Sequence, residues 1–254
     1  MADLLTGDEQ ARYARQLALT GWGEAAQWKL KQATVFIAGV GGLGSFVAQC
    51  LAAAGVGRLV LCDPDTVQLS NLNRQTLYST KHLGAPKAAT AAQVLHALNP
   101  AISVEAIPTK IDRDNYRQVI GQPDIVADCL DNFAGRFLLN DYAVETGIPF
   151  VHGGVSGWAG MVTFIHPPQT PCLACLYPEA PDEQVTPTLS VAPALVGSAQ
   201  AGEVIKYLLK LGDLLAGRLL TVEMDTMRVE IFQMARSPSC PVCAGGGQSQ
   251  SPDS

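Results

Sequence analysis

Ten residues near the start of the chain, F-I-A-G-V-G-G-L-G-S from Phe36 to Ser45, place glycines at Gly39, Gly41 and Gly44 in the order G-x-G-x-x-G. Glycine lets backbone amides approach phosphate oxygens, and a helix that follows offers unpaired N–H groups and the positive end of its dipole. Asp63, at the end of the next apolar run, stands where a carboxylate would accept ribose hydroxyls. A dinucleotide held for hydride transfer and a nucleoside triphosphate would both use these features. A glycine turn serving only tight helix–strand packing would have the same spelling.

The neighbouring residues favour the triphosphate. D-P-D-T-V-Q-L-S-N-L-N-R-Q (63–75) groups Asn71, Asn73, Arg74 and Gln75 just past the acid, and Lys87 follows in G-A-P-K. A nicotinamide cofactor has little use for these cations. A triphosphate under attack builds charge on its α-phosphate and on the departing pyrophosphate, which Arg and Lys offset. D-C-L-D-N (128–132) adds two acids, and a carboxylate beside a triphosphate is a natural magnesium ligand.

The seven cysteines divide by spacing. C-L-A-C (Cys172, Cys175) and C-P-V-C (Cys240, Cys243) form two C-x-x-C pairs, a ligand set suited to a closed tetrahedral zinc site. The gap between the pairs is too long for a continuous zinc ribbon, so the fold must unite them. A redox role for either pair is the alternative, but neither is expected to open a helix of a thioredoxin-like unit. Cys50, Cys62 and Cys129 fall in apolar runs and are expected to be buried small hydrophobes.

The elements that position these groups follow from periodicity. A-T-V-F-I-A-G (33–39) and R-L-V-L-C-D (58–63) read as buried parallel strands around a helix from Leu43 to Ala54. Residues 86–100 form a helix punctuated by Pro86 and by Asn99-Pro100. I-S-V-E-A, D-I-V-A-D-C and I-P-F-V add strands, with a helix over 135–146 between the last two. This alternation predicts an α/β fold, a Rossmann-like, doubly wound, mostly parallel sheet. A strand at 161–166, a helix over 195–211 and two strands near 218–232 make a C-terminal antiparallel extension. H-G-G-V-S-G (152–157) reads either as a tight turn or as the wall of a channel for an extended peptide tail.

By composition the expected organisation is an N-terminal helical arm over 1–30, with Tyr13, Leu17 and Leu19 on its apolar side, and one domain over 31–244. A Pro-rich loop spans about 177–193, and a low-complexity tail, 245–254, is expected to be disordered. The net charge of −6 argues against a nucleic-acid surface. No apolar run is long enough for a membrane span, and the polar, acidic N-terminus is unlike a secretory signal, so a cytoplasmic location is expected.

Taken together, R-Y-A-R-Q-L, G-V-G-G-L-G-S, D-P-D-T-V-x-L-S-N-L-N-R-Q, G-A-P-K-A and D-C-L-D-N closely resemble the ubiquitin-activating-enzyme-like adenylyltransferases, over about residues 8–243. The nearest branch is that of the molybdopterin-synthase and thiamine sulfur-carrier adenylyltransferases. Gly42 belongs to the G-x-G-G-x-G form of that family. The resemblance implies that ATP and Mg²⁺ activate the Gly-Gly carboxylate of a small ubiquitin-fold sulfur carrier as an acyl-adenylate. It implies roles residue by residue: Asp63 for the ribose, Arg74 and Lys87 for phosphates, Asp131 for Mg²⁺, Asn71 and Gln75 lining the pocket. It places structural zinc on Cys172, Cys175, Cys240 and Cys243. Arg15 matches an arginine that reaches the neighbouring subunit's phosphates, which implies a homodimer. Many relatives carry a cysteine in the crossover loop that bonds the carrier. This chain has none between Cys175 and Cys240, so a covalent carrier step is not expected and sulfur would come from a separate cysteine desulfurase or sulfurtransferase.

Overall fold

The computed structural model describes residues 4–179 and 187–244. The expected disordered tail and the stretch 180–186 of the expected loop, Thr186 included, lie outside them. Among the described residues eight strands form one sheet: β1 (Thr34–Ala38), β2 (Arg58–Cys62), β3 (Ser103–Ile107), β4 (Ile125–Asp128), β5 (Phe150–Ser156), β6 (Ala159–Ile165), β7 (Arg218–Glu223) and β8 (Arg228–Gln233). Their order is β3-β2-β1-β4-β5-β6-β7-β8. Pairing is parallel from β3 through β5 and antiparallel from β5 to β8.

Helices cover both faces: α1 (Gly7–Leu17), α2 (Gly23–Gln32), α3 (Gly42–Ala54), α4 (Lys87–Leu98), α5 (Tyr116–Ile120), α6 (Phe133–Thr146), α7 (Leu173–Leu176) and α8 (Val191–Leu209). Alternate residues of β1 feed different cores. Val35 and Ile37 join α2, α3, α4 and α8, while Phe36 and Ala38 join α5 and α6. This two-sided burial is why β1 and β2 are apolar at every position after their first residue. A fully buried Leu, Ile or Phe contributes about 1.5–3 kcal/mol of transfer free energy.

Several local expectations change. The N-terminal segment is two helices broken at residues 18–22, and Leu19 lies on that break, 56% exposed. The H-G-G-V-S run is strand β5 itself and not a turn; Gly153 packs so closely that a Cβ there would meet the Gln200 amide. The turn follows at Gly157. Helix α8 begins at Val191, four residues earlier than expected, because Pro193 sits in a first turn, where no intrahelical N–H is needed. The short α5 carries too few residues to show a helical period.

Candidate functional site

The strand order reverses between β1 and β4, the crevice where open α/β sheets bind ligands. The loop after β1 is the glycine run, and the loop after β4 carries Asp131. Gly39 adopts φ +85°, and a Cβ on it would strike the Cys129 carbonyl at 2.7 Å. Gly44, in the first turn of α3, would place a Cβ 2.0 Å from the Gly39 carbonyl. These contacts seat the loop directly against the β4 loop, with the N–H groups of α3's first turn at its end. Gly44→Ala is therefore expected to cost about 2 kcal/mol through overpacking, a drop of about 4–8 °C in thermal midpoint, read by calorimetry. An unchanged midpoint would show that the loop is looser than described.

Around this loop the structure gathers most of the candidates. Asp63 is buried at the end of β2; its carboxylate accepts the Val40 N–H at 2.8 Å and the Asp65 N–H at 2.9 Å. Burial pushes its carboxyl above the ordinary value, and the nearby Lys87 ammonium opposes that rise. Lys87 opens α4 with its side chain buried, and its Nζ lies 2.9 Å from the Asp65 carboxylate. The Tyr78 hydroxyl donates to the Val40 carbonyl at 2.8 Å and approaches the Lys87 carbonyl at 3.3 Å. Gln75 is buried beside Gly41, and its Oε1 has no partner among the described residues. An orphaned buried acceptor against a glycine loop fits a pocket that a ligand completes.

Arg74 rests its stem by Gly42, and its guanidinium donates to the Ser70 carbonyl and the Asn73 side chain, both at 3.0 Å. The Asn71 Oδ1 accepts the Gln68 N–H at 3.0 Å, holding the short helical turn Leu69–Asn71. Asp131 is exposed, and among the described residues only the Asn132 amide lies near it, at 3.4 Å, which leaves its oxygens open to a cation. Arg15 is not brought to this crevice. Helix α1 packs on the far end of α3, where Gln16 donates to the Ala54 carbonyl and Tyr13 covers Gly55. Thirteen helical residues separate the two ends, about 20 Å.

The four cysteines do come together. Their sulfurs lie within 4.8 Å of one another, with Cys172 to Cys240 and Cys175 to Cys243 at 3.6 Å and Cys172 to Cys175 at 3.9 Å. Tetrahedral Zn–S bonds require sulfur separations of about 3.8 Å, so the cluster could hold a zinc ion. Cys172 stands at the N-cap of α7, a helix of four residues. Four converging sulfurs, not helix position, exclude an isolated redox pair. Cys62 and Cys129 are buried as expected, whereas Cys50 is only half-buried, 4.0 Å from the Ser198 hydroxyl.

Sequence reasoning missed Asp65, Tyr78, Arg136 and Gln200. Asp65 could have been noticed as the second acid of D-P-D. Nothing in the local pattern marks the other three.

A family model described as "ThiF family" matches residues 13–242. The chain is 41% identical over 242 residues to "SAMP-activating enzyme E1" of Haloferax volcanii, covering 93% of this chain and 89% of that one. It is 41% identical over 249 residues to "Sulfur carrier protein adenylyltransferase" of Thermus thermophilus, covering 94% and 92%. Among solved structures it is similar to E. coli MccB. With ATP that enzyme superposes at a TM-score of 0.82, 25% identity and coverage of 96% and 76%. With MccA-N7isoASN the values are 0.85, 25%, 96% and 77%. The chain belongs to the ThiF family.

Proposed function

We propose that this protein is an ATP-dependent adenylyltransferase that activates the C-terminal carboxylate of a small ubiquitin-like sulfur carrier. The observation that carries the reading is the convergence of Asp63, Arg74, Gln75 and Lys87 on one glycine loop at the sheet's switch point. The family's adenylyltransferase members supply the reaction class. A dinucleotide oxidoreductase would leave Arg74 and Lys87 without a role.

The loop of Gly39, Gly41, Gly42 and Gly44 supports the nucleotide, and Asp63 accepts the ribose. Arg74 and Lys87 meet the phosphates, with Asn71 and Gln75 lining the pocket. Asp131 would hold Mg²⁺, which neutralises phosphate charge when bound. A carrier carboxylate oxygen attacks the α-phosphorus, the bond to pyrophosphate breaks, and acyl-adenylate and pyrophosphate result. The attacking group is already an anion at neutral pH, so no base is required. Positioning and charge neutralisation suffice. Arg15, remote from its own crevice, would serve the partner subunit of a homodimer. The four-cysteine cluster would hold structural zinc.

ATP–pyrophosphate exchange with Mg²⁺ and each Gly-Gly carrier of the same organism tests this. Exchange with one carrier, lost when its last glycine is deleted, is expected and names the pathway, molybdopterin or thiamine. No exchange with any carrier, alongside tight NADH binding, would sink the proposal. The likeness to MccB with its MccA ligand favours a second reading, a peptide C-terminus as substrate, and exchange with peptides alone would select it. With no cysteine between Cys175 and Cys240, the adenylate passes to a separate sulfur donor.

A further inference from the structure

Beneath the β4 loop lies a buried charged cluster that the reaction above does not use. Asp128, the last residue of β4, is fully buried, and so is His152, its register partner on β5. The His152 Nδ1 lies 2.7 Å from the Asp128 carboxylate, and the Arg136 Nε lies 4.0 Å from it. Arg136, in the first turn of α6, is 8% exposed.

The bonds of this cluster close on one residue. The Asp128 carboxylate accepts the Leu130 N–H at 3.2 Å. The Arg136 Nε and a terminal guanidinium nitrogen donate to the Leu130 carbonyl at 3.1 and 2.6 Å, and the same terminal nitrogen donates to the Gly153 carbonyl at 3.2 Å. Both backbone polar groups of Leu130 are therefore held by buried charges. Gln200 on α8 fixes the other side, donating to the Asp128 and Val151 carbonyls at 2.8 and 3.1 Å. The residue after Leu130 is Asp131, whose side chain is itself exposed and, among the described residues, meets only Asn132. An exposed carboxylate on a free loop would sample many positions; clamping the preceding peptide on both sides narrows the region its carboxylate can reach.

We propose that Arg136 and Asp128, oriented by His152, are positioning residues that aim Asp131 at the nucleotide's metal ion. This rests on the reading of Asp131 as the Mg²⁺ ligand. Supporting groups behind a metal ligand are worth about 10–100-fold in metal affinity or activity. Lysine at 136 would keep the charge but lose the planar fork that grips one carbonyl with two N–H groups.

The test is calorimetric titration of Mg²⁺ into the full-length protein holding a non-hydrolysable ATP analogue, beside ATP–pyrophosphate exchange at varied Mg²⁺, for wild type, Arg136→Gln and Arg136→Lys, at a temperature where each is folded. The expected result is a half-saturating Mg²⁺ concentration raised at least about tenfold in Arg136→Gln and by less in Arg136→Lys, with KM for ATP at saturating Mg²⁺ within about twofold of wild type. An unchanged Mg²⁺ midpoint would overturn the proposal, and so would a rise confined to KM for ATP or carrier, which would place Arg136 against substrate. Failure of both variants to fold would also overturn it, leaving Arg136 a structural residue. Asp131→Ala in the same assay separates the two readings: if it keeps wild-type Mg²⁺ dependence, the assignment of Asp131 fails whatever Arg136 does.

Discussion

Replacing Asp131 with alanine is expected to lower ATP–pyrophosphate exchange by about 10³-fold or more, equivalent to about 4 kcal/mol of transition-state stabilisation. The fold should be indifferent. Asp131 is exposed and, among the described residues, accepts only one long contact, from Asn132, and an exposed substitution of this kind changes stability by about 0.5 kcal/mol at most. Thermal midpoint and zinc content should match wild type. Asp128, three residues earlier, makes the contrast. It is fully buried, bonds the Leu130 N–H and faces His152 and Arg136. Asp128→Ala would leave an arginine buried without its counter-ion, at a cost of about 3–5 kcal/mol. Activity lost with the thermal midpoint kept for Asp131, and both lowered for Asp128, is the expected pair. Should Asp131→Ala retain more than a tenth of wild-type exchange at saturating Mg²⁺, the metal role belongs elsewhere.

Removing the zinc proposed for the cysteine cluster is expected to have the largest effect on stability. Residues 240–243 are held to the body through the cysteine cluster, where Cys172, Ala174, Cys240 and Cys243 pack with Phe137 and Val144 of α6. Asn140 of the same helix accepts the Leu173 N–H at 2.7 Å. The Arg236 guanidinium meets both the Cys243 carbonyl and its sulfur. Structural zinc in small peptides contributes about 10–16 kcal/mol of apparent binding energy, as large as the whole stability of an ordinary domain, about 5–15 kcal/mol. Cys240→Ser should therefore reduce zinc from one per chain to less than a tenth. Its thermal midpoint should fall by more than about 10 °C, several kcal/mol at this size. Protease should then cleave near residues 236–244 first. Full zinc content in Cys240→Ser, or an unchanged midpoint after chelation, would show that the cluster carries no structural metal.

Much of the site can be read from local chemistry. The glycine spacing, the apolar β-branched runs around it, and the punctuation of α3 and α4 are decided within a few residues of each position. So are the two C-x-x-C pairs, since two thiols three residues apart share one side of a turn whatever lies around them. Asp63, Arg74, Gln75 and Lys87 could be named because the loop that carries them follows β2 directly, and a strand end is where such a fold binds.

What the sequence could not settle depends on which strand lies beside which. His152 meets Asp128 only because β5 pairs with β4 in a register that sets them opposite. In isolation it is a lone histidine before two glycines. Arg136 looks like a solvent-facing helix residue until the β4 loop folds over it and supplies the Leu130 carbonyl. The two cysteine pairs, separated by α8, β7 and β8 along the chain, become one cluster only when β8 returns the chain toward α6. Arg15 lies remote from its own crevice because α1 packs at the opposite end of α3. Local sequence determined what each segment is, through backbone propensity and hydrophobic period. Long-range packing, which buries charges only beside charges that match them, decided which of those segments share a site.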